Sequence, residues 1–204
     1  MASLVERASR LAADLHAKQT RKASFVPHVP YLSHLMEVAG MVMASGAPET
    51  VVAAALLHDA IEDQGDRTRL SIQEELGVEV LALVEECTEP GTGGATKAPW
   101  YERKKAALQR VQHLSVGAFM IMAADKLHNT RELRYNVILR GDEAFIGFRA
   151  DKPSILWYQQ EMLRAMRQRL ATLNAEHSPL TASLLITSCW LQELSDIIIF
   201  LQAH

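Results

Sequence analysis

The sequence predicts an all-α fold, with about seven to nine helices packed around one core. Three observations carry that expectation. Apolar residues recur at three-to-four spacing through most of the chain. No convincing stretch of alternating polarity, hairpin dipeptide or internal repeat marks a strand. Most prolines and glycines fall between the periodic segments, where they start and stop helices.

In chain order, Val5, Ala8, Leu11, Ala12 and Leu15 form one stripe of a first helix. Pro27 and Pro30 then punctuate a loop. A second helix is expected from Tyr31 to Ala44, stopping near Gly46. Pro48 suits the first turn of a third, which runs through Glu62. Ser71, with Glu74 three residues on, reads as a capping box opening a fourth helix that ends at Gly77. Glu79 to Thr88 continues as a fifth. The stretch from Glu89 to Pro99 invites comparison with a phosphate cradle. However, Lys97 sits between Thr96 and Ala98, outside the Gly-Lys-Ser/Thr ending a Walker loop needs, so a flexible flap is expected. Helices are expected over Trp100 to His113, Val116 to Leu133 and Ser154 to Asn174. Ser178-Pro179 reads as the cap of a last one, ending near Phe200. Arg140 to Lys152, with its two glycines, has no readable pattern. The organisation is a single domain over residues 1–204. Its motif-bearing core spans about 5–135 and a C-terminal helical extension about 154–200.

Bulk composition narrows the function. The net charge of −3 gives no basic excess, so no nucleic-acid partner is expected. Two cysteines, Cys87 and Cys189, suggest neither a disulfide framework nor a zinc ribbon, and point to a reducing compartment. Glu6, Arg7, Arg10 and Asp14 interrupt the apolar positions of the N-terminus, which argues against a secretory signal. No uninterrupted apolar run approaches the roughly 20 residues of a membrane helix. The greasiest segment, near the C-terminus, is broken by Glu193 and Asp196. A cytoplasmic protein with no membrane partner is expected. Trp190, Leu191, Leu194, Ile197, Ile198 and Phe200 form an apolar surface there, explained by core packing or by a homodimer.

The chemistry concentrates in ALLHDAIEDQ, residues 55 to 64. This otherwise apolar segment carries His58, Asp59, Glu62 and Asp63. Buried carboxylates and imidazoles are costly unless paired or bound to a metal. His34, in YLSHLMEVA, and Asp125, in FMIMAADKLHN, sit in segments of the same apolar character. Taken singly, each has a plainer reading. His34 alone reads as a core or surface histidine, Asp125 as a partner of Lys126 or Arg131, and Glu62 and Asp63 as a solvated helix end. His128 reads as structural or exposed. Together, His34, His58, Asp59 and Asp125 make a two-His, two-carboxylate set suited to Mn²⁺, Fe²⁺, Co²⁺ or Zn²⁺.

The order histidine, His-Asp, distant aspartate resembles the HD phosphohydrolase superfamily, whose metal ligands run H…HD…D. TRKASFVPHVPYLSHLMEVA, then AALLHDAIED, then ADKLHNTREL looks most like the hydrolase domain of RelA/SpoT-type alarmone enzymes and their small single-domain relatives. The resemblance implies a helical HD-domain fold. It also implies hydrolysis of the 3′-pyrophosphate of (p)ppGpp, usually with Mn²⁺. It makes His34, His58, Asp59 and Asp125 the metal ligands. Glu62 and Asp63 match a Glu-Asp pair that positions or activates the attacking water. Asn129 matches an asparagine near the substrate sugar and phosphates. Arg21 and Lys22 match an Arg-Lys pair at the base, and Arg103 and Lys104 a basic pair near the phosphates; the plainer reading of this last pair is a solvated helix face.

The chain departs from that pattern in three places. Gln64 stands where threonine commonly follows Glu-Asp, the loop from Lys22 to Tyr31 is slightly long, and the chain after Arg134 looks like a different group of small HD proteins. An HD-type 5′-nucleotidase and a catalytically silent metal-containing nucleotide sensor are the alternative functions.

Overall fold

The computed structural model describes residues 2–22, 25–89, 98–176 and 179–204. Among these it holds ten α-helices, one 3-10 helix and no strand beyond an isolated bridge between Thr20 and Pro30. The helices are α1 (Leu4–Leu15), α2 (Leu32–Ala44), α3 (Glu49–Leu56), α4 (Ala60–Gln64), α5 (Thr68–Leu76), α6 (Val78–Cys87), α7 (Trp100–Val111), α8 (Val116–Arg140), α9 (Lys152–Ala175) and α10 (Thr181–Ala203).

Helix α8 is the axis of the fold. Its start is fixed by Ser115, whose hydroxyl accepts the Ala118 N–H at 3.3 Å. Residues 118 to 125 are buried without interruption, because α2, α3, α6 and α10 surround this stretch of the helix. Gly117 permits the close approach. A Cβ there would stand 3.0 Å from Leu83 Cδ2 on α6 and 3.1 Å from Val51 Cγ2 on α3.

Several boundaries differ from the sequence reading, four of them with consequences for the frame around the site. The expected third helix is two, because the chain leaves helical geometry at Leu57 (φ −120°) and resumes at Ala60. The fourth begins at Thr68, so Ser71 is interior and its capping box does not form. Helix α8 runs to Arg140 and is followed by a 3-10 helix, Gly141–Phe145, whose Ala144 and Phe145 are buried. Helix α9 starts before Ser154, at Lys152, where the Asp151 carboxylate accepts the Ser154 N–H at 3.0 Å. Residues 90–97 of the expected flap, and Ser178 of the expected final cap, lie outside the described residues.

Helix α10 packs on α8 and α9. Trp190, Leu191, Leu194, Ile197 and Ile198 are buried there and Phe200 is half-buried, so this apolar surface is core. Leu185, Ile186 and Ile199 remain exposed. By length and mean hydropathy α10 is apolar enough to cross a membrane, even with Glu193 and Asp196 in it. Glu193 is accounted for within the fold: Arg131 on α8 grips it through two bonds of 2.6 Å.

Candidate metal centre and its cavity

Three elements bring the four expected ligands together. His34 comes from α2, His58 and Asp59 from the turn between α3 and α4, and Asp125 from α8. The break at Leu57 is what lets a neighbouring pair converge. On a continuous helix adjacent side chains diverge by about 100°. Here His58 Nε2 and Asp59 Oδ2 lie 3.2 Å apart. His34 Nε2 is 3.3 Å from His58 Nε2, 3.5 Å from Asp59 Oδ2 and 3.3 Å from Asp125 Oδ1. His58 Nε2 and Asp125 Oδ1 are 3.7 Å apart.

Four of those five separations fit one divalent cation and the fifth, His58 to Asp125, is slightly wider; the atoms that all lie mutually close are those of His34, His58 and Asp59. Ligand bonds of about 2.0–2.2 Å at octahedral or tetrahedral angles set neighbouring donors about 2.8–3.6 Å apart. Both imidazoles turn Nε2 inward. His58 Nδ1 donates to the Ala55 carbonyl at 2.8 Å, and His34 Nδ1 meets His128 Nδ1 at 2.8 Å. His34, His58 and Asp125 are buried, and Asp59 is half-buried.

The cluster's charges show the same demand for a cation. Burial opposes protonation of His58, yet Asp59 and Asp125 outweigh it and hold the imidazole well above its ordinary value. Burial likewise opposes ionisation of both carboxylates. His58 nevertheless holds Asp59 well below the usual range, and Lys126 with the two histidines does the same for Asp125. A centre that draws a proton this strongly onto an imidazole favours positive charge.

The centre opens into a cavity of about 220 Å³. Its wall includes His58, Asp59, Glu62 and Asp125, with Arg21, Lys104, Arg110, Lys126, Asn129, Tyr31 and Tyr158. Glu62 accepts the Glu89 backbone N–H. Burial raises the Glu62 pKa, and that hydrogen bond only partly offsets it. Asp63 is not in the wall; it is exposed and accepts Gln19 Nε2 at 2.6 Å. Arg21 is placed by the bridge between Thr20 and Pro30, with its N–H bonded to the Val29 carbonyl at 2.9 Å. Its guanidinium reaches Glu132, and Asn129 Oδ1 at 2.6 Å. Lys22 is exposed and does not line the cavity. Lys104 is in the wall and Arg103 is not; both bind Glu89, at 3.1 and 2.9 Å. Asn129 Nδ2 donates to Asp125 Oδ1 at 2.5 Å.

Lys126, one of the two partners the sequence offers for Asp125, does bond it, at 2.7 Å. Other participants were not singled out by sequence. Tyr31 donates its hydroxyl to Asp59. Arg110 reaches the Thr88 and Cys87 carbonyls from the cavity wall. Spacing held a signal for three residues at the site. Tyr31 precedes His34 by three residues, and His128 and Glu132 share the Asp125–Asn129 face of α8.

The HD domain family model matches residues 8–139. A guanosine-3′,5′-bis(diphosphate) 3′-pyrophosphohydrolase, MESH1, of Xenopus tropicalis is 35% identical over 135 residues, covering 65% of this chain and 71% of the relative. The Homo sapiens MESH1 is 38% identical over 65% of this chain and 70% of its own. A probable GTP pyrophosphokinase of Mycobacterium leprae is 35% identical over 65% of this chain, which is 16% of that longer protein. Among solved structures, a metazoan ortholog of SpoT that hydrolyses ppGpp superposes with a TM-score of 0.58 at 25% identity, over 83% of this chain and 97% of that one. A Listeria monocytogenes protein superposes at 0.63 with 27% identity, over 83% and 98%.

Proposed function

Because the chain belongs to the HD domain family, we propose that it is a metal-dependent phosphohydrolase that removes the 3′-pyrophosphate of a guanosine polyphosphate, ppGpp or pppGpp. The observation that carries the reading is the meeting of four donors, with neighbour distances of 3.2 to 3.7 Å, three of which, His58, Asp59 and Asp125, line a cavity that also holds Glu62. The activity comes from the relatives, which are named for it at 35 and 38% identity. A divalent ion suits the donor set, and we assign Mn²⁺ to it, with Fe²⁺, Co²⁺ and Zn²⁺ as competitors of the same nitrogen and oxygen preference. The free thiols of Cys87 and Cys189 suit a reducing cytoplasm.

When bound, the ion supplies charge neutralisation at a phosphoryl oxygen and a more acidic water. The protein's own residues do the rest. Glu62, anchored by the Glu89 N–H, is the group that orients the attacking water and takes its proton. Its raised pKa brings it closer to neutrality, where a general base works best. Asp63 braces the N-terminal loop through Gln19, and we give it a positioning role. Four cations line the cavity, Arg21, Lys104, Arg110 and Lys126, against four carboxylates, Asp59, Glu62, Glu89 and Asp125. With His58 neutral, the wall formed by the described residues is therefore formally neutral, and a divalent ion makes it attractive to a polyanion. We give Arg21 and Asn129, tied to each other, the nucleoside end. We give Lys104, with Arg103 beside it on Glu89, the pyrophosphate.

The test is an assay of the purified protein with Mn²⁺ against ppGpp, pppGpp and a panel of nucleotides. Pyrophosphate released from the first two is the expected result. Orthophosphate from nucleoside monophosphates would instead mark a 5′-nucleotidase. Tight nucleotide binding without any product would mark a sensor.

A further inference from the structure

The expected metal ligand His34 is backed by a run of polar contacts that reaches the surface, a hydrogen bond to His128 and an ion-pair contact from His128 to Glu37. His34 Nδ1 lies 2.8 Å from His128 Nδ1, and His128 Nε2 lies 3.1 Å from Glu37 Oε2. His34 and His128 are buried, at 0% and 5% exposure, whereas the Glu37 side chain is 63% exposed.

For a neutral His128 these contacts have one consistent proton arrangement, which can be read from the outer end inward. An ionised carboxylate only accepts, so the His128 proton belongs on Nε2, facing Glu37. That leaves His128 Nδ1 as an acceptor. His34 must then carry its proton on Nδ1 and donate it outward. The lone pair of His34 Nε2 is thereby left facing His58, Asp59 and Asp125. His58 reaches the same state by a shorter route, since its Nδ1 faces a carbonyl that also only accepts. The spacing follows from helix geometry. Glu37 lies three residues after His34 on α2, and His128 three after Asp125 on α8, so each helix carries one ligand and one supporting residue on adjoining turns.

We propose that His128 and Glu37 are positioning residues for the metal centre, which fix the tautomer and ring orientation of His34 and raise its strength as a donor to a divalent cation. The inference rests on the metal reading above, but concerns residues outside the ligand set. A ligand imidazole that donates its second N–H to a charge-backed acceptor is a stronger donor than one that faces water, and losing such a partner costs about 10–100-fold in affinity.

The experiment is Mn²⁺ affinity, by competition with a chelator, for the parent protein, His128→Phe and Glu37→Gln. Nitrogen-15 imidazole shifts of the parent loaded with diamagnetic Zn²⁺ are recorded alongside. His128→Phe keeps an aromatic ring but removes the acceptor, and is expected to weaken binding by about 10–100-fold. Glu37→Gln, at an exposed position, keeps an acceptor without its charge and is expected to weaken binding by a smaller factor. The shifts are expected to show His34 protonated on Nδ1, and His128 on Nε2 alone. If the parent binds the ion but both variants bind it equally well, or if His128 carries its proton on Nδ1, the proposal is overturned. Should His128→Phe fail to fold, Glu37→Gln and the parent's shifts decide the matter. A parent that takes up no divalent ion overturns the metal reading itself, and this proposal with it.

Discussion

Glu62→Gln separates three roles that a cavity carboxylate can combine: base, metal ligand and structural acceptor. The glutamine oxygen can still accept the Glu89 N–H that anchors Glu62, so the local fold is retained. Glu62 is not among the four clustered donors, so ion affinity should stay within a few-fold of the parent. Stability should not fall, and the sign follows from the raised pKa. A carboxyl whose folded pKa lies above its unfolded value costs stability at every pH where it is ionised, and the loss sets in as pH rises between the two values. At pH 7 the substitution removes that cost, so the melting temperature should be unchanged or higher. Turnover should collapse, because a positioned base contributes about 10²–10⁴-fold, or about 3–5 kcal/mol of barrier. The assay is kcat and KM for ppGpp with Mn²⁺, beside a melting curve and an ion titration. A variant that retains more than a tenth of the parent kcat, or that loses the ion, would refute the role given to Glu62.

Asp125→Asn, which keeps shape but removes a donor charge, should lower Mn²⁺ affinity by more than the about 10–100-fold that a supporting residue costs, as read by calorimetry. Ion affinity should also fall with acidity. The protein without its ion holds His58 well above its ordinary 6.5, so binding must displace a proton through the neutral range. The logarithm of affinity should then rise by about one per pH unit below that pKa, and a flat titration between about pH 6 and 8 would contradict the reading. Glu89→Gln should release Lys104 and Arg103 from their internal anion. Inhibition by inorganic pyrophosphate should then tighten by about five- to tenfold, the worth of a partly solvated ion pair of about 1 kcal/mol. Leu194→Ala, at a fully buried position on α10, should cost about 2–5 kcal/mol in denaturant unfolding without altering turnover per folded molecule.

The candidate ligands stand out in the sequence for a thermodynamic reason. An imidazole or carboxylate in an apolar helical run is expensive, so its presence signals compensation, and His34, His58, Asp59 and Asp125 all stand in such runs. The break that aims two of them is not legible. Leu57, His58 and Asp59 include neither glycine nor proline, and their turn is stabilised by contacts such as His58 Nδ1 to the Ala55 carbonyl. The capping-box reading of Ser71 failed for a related reason. Ser-x-x-Glu is also ordinary helix-interior composition, and tertiary packing of Thr68 and Ile72 sets the start of α5. Arg110 and Tyr158 could not be told from any amphipathic-helix cation or aromatic, because what draws them to the cavity is the packing of α7 against α9, more than 40 residues apart.

The C-terminal extension shows how far composition alone can carry. Six apolar residues of α10 fit a core or a second copy equally well in one dimension, and what separates the two is what lies opposite them. Five of the six are buried against this chain's own α8 and α9, and Glu193, the charge that interrupts the run, reaches Arg131 on α8. Arg131 follows Asp125 by six residues on the same helix. The tie therefore clamps α10 to the helix that carries a ligand and its supporting histidine. It costs little to hold, because the pair is only partly buried and needs little desolvation. The buried apolar face supplies most of the energy, and the ion pair fixes the register. Helix α10 thus braces α8 from behind without adding a residue to the cavity wall, so a change in α10 that loosens this packing should lower stability before it alters the donor geometry.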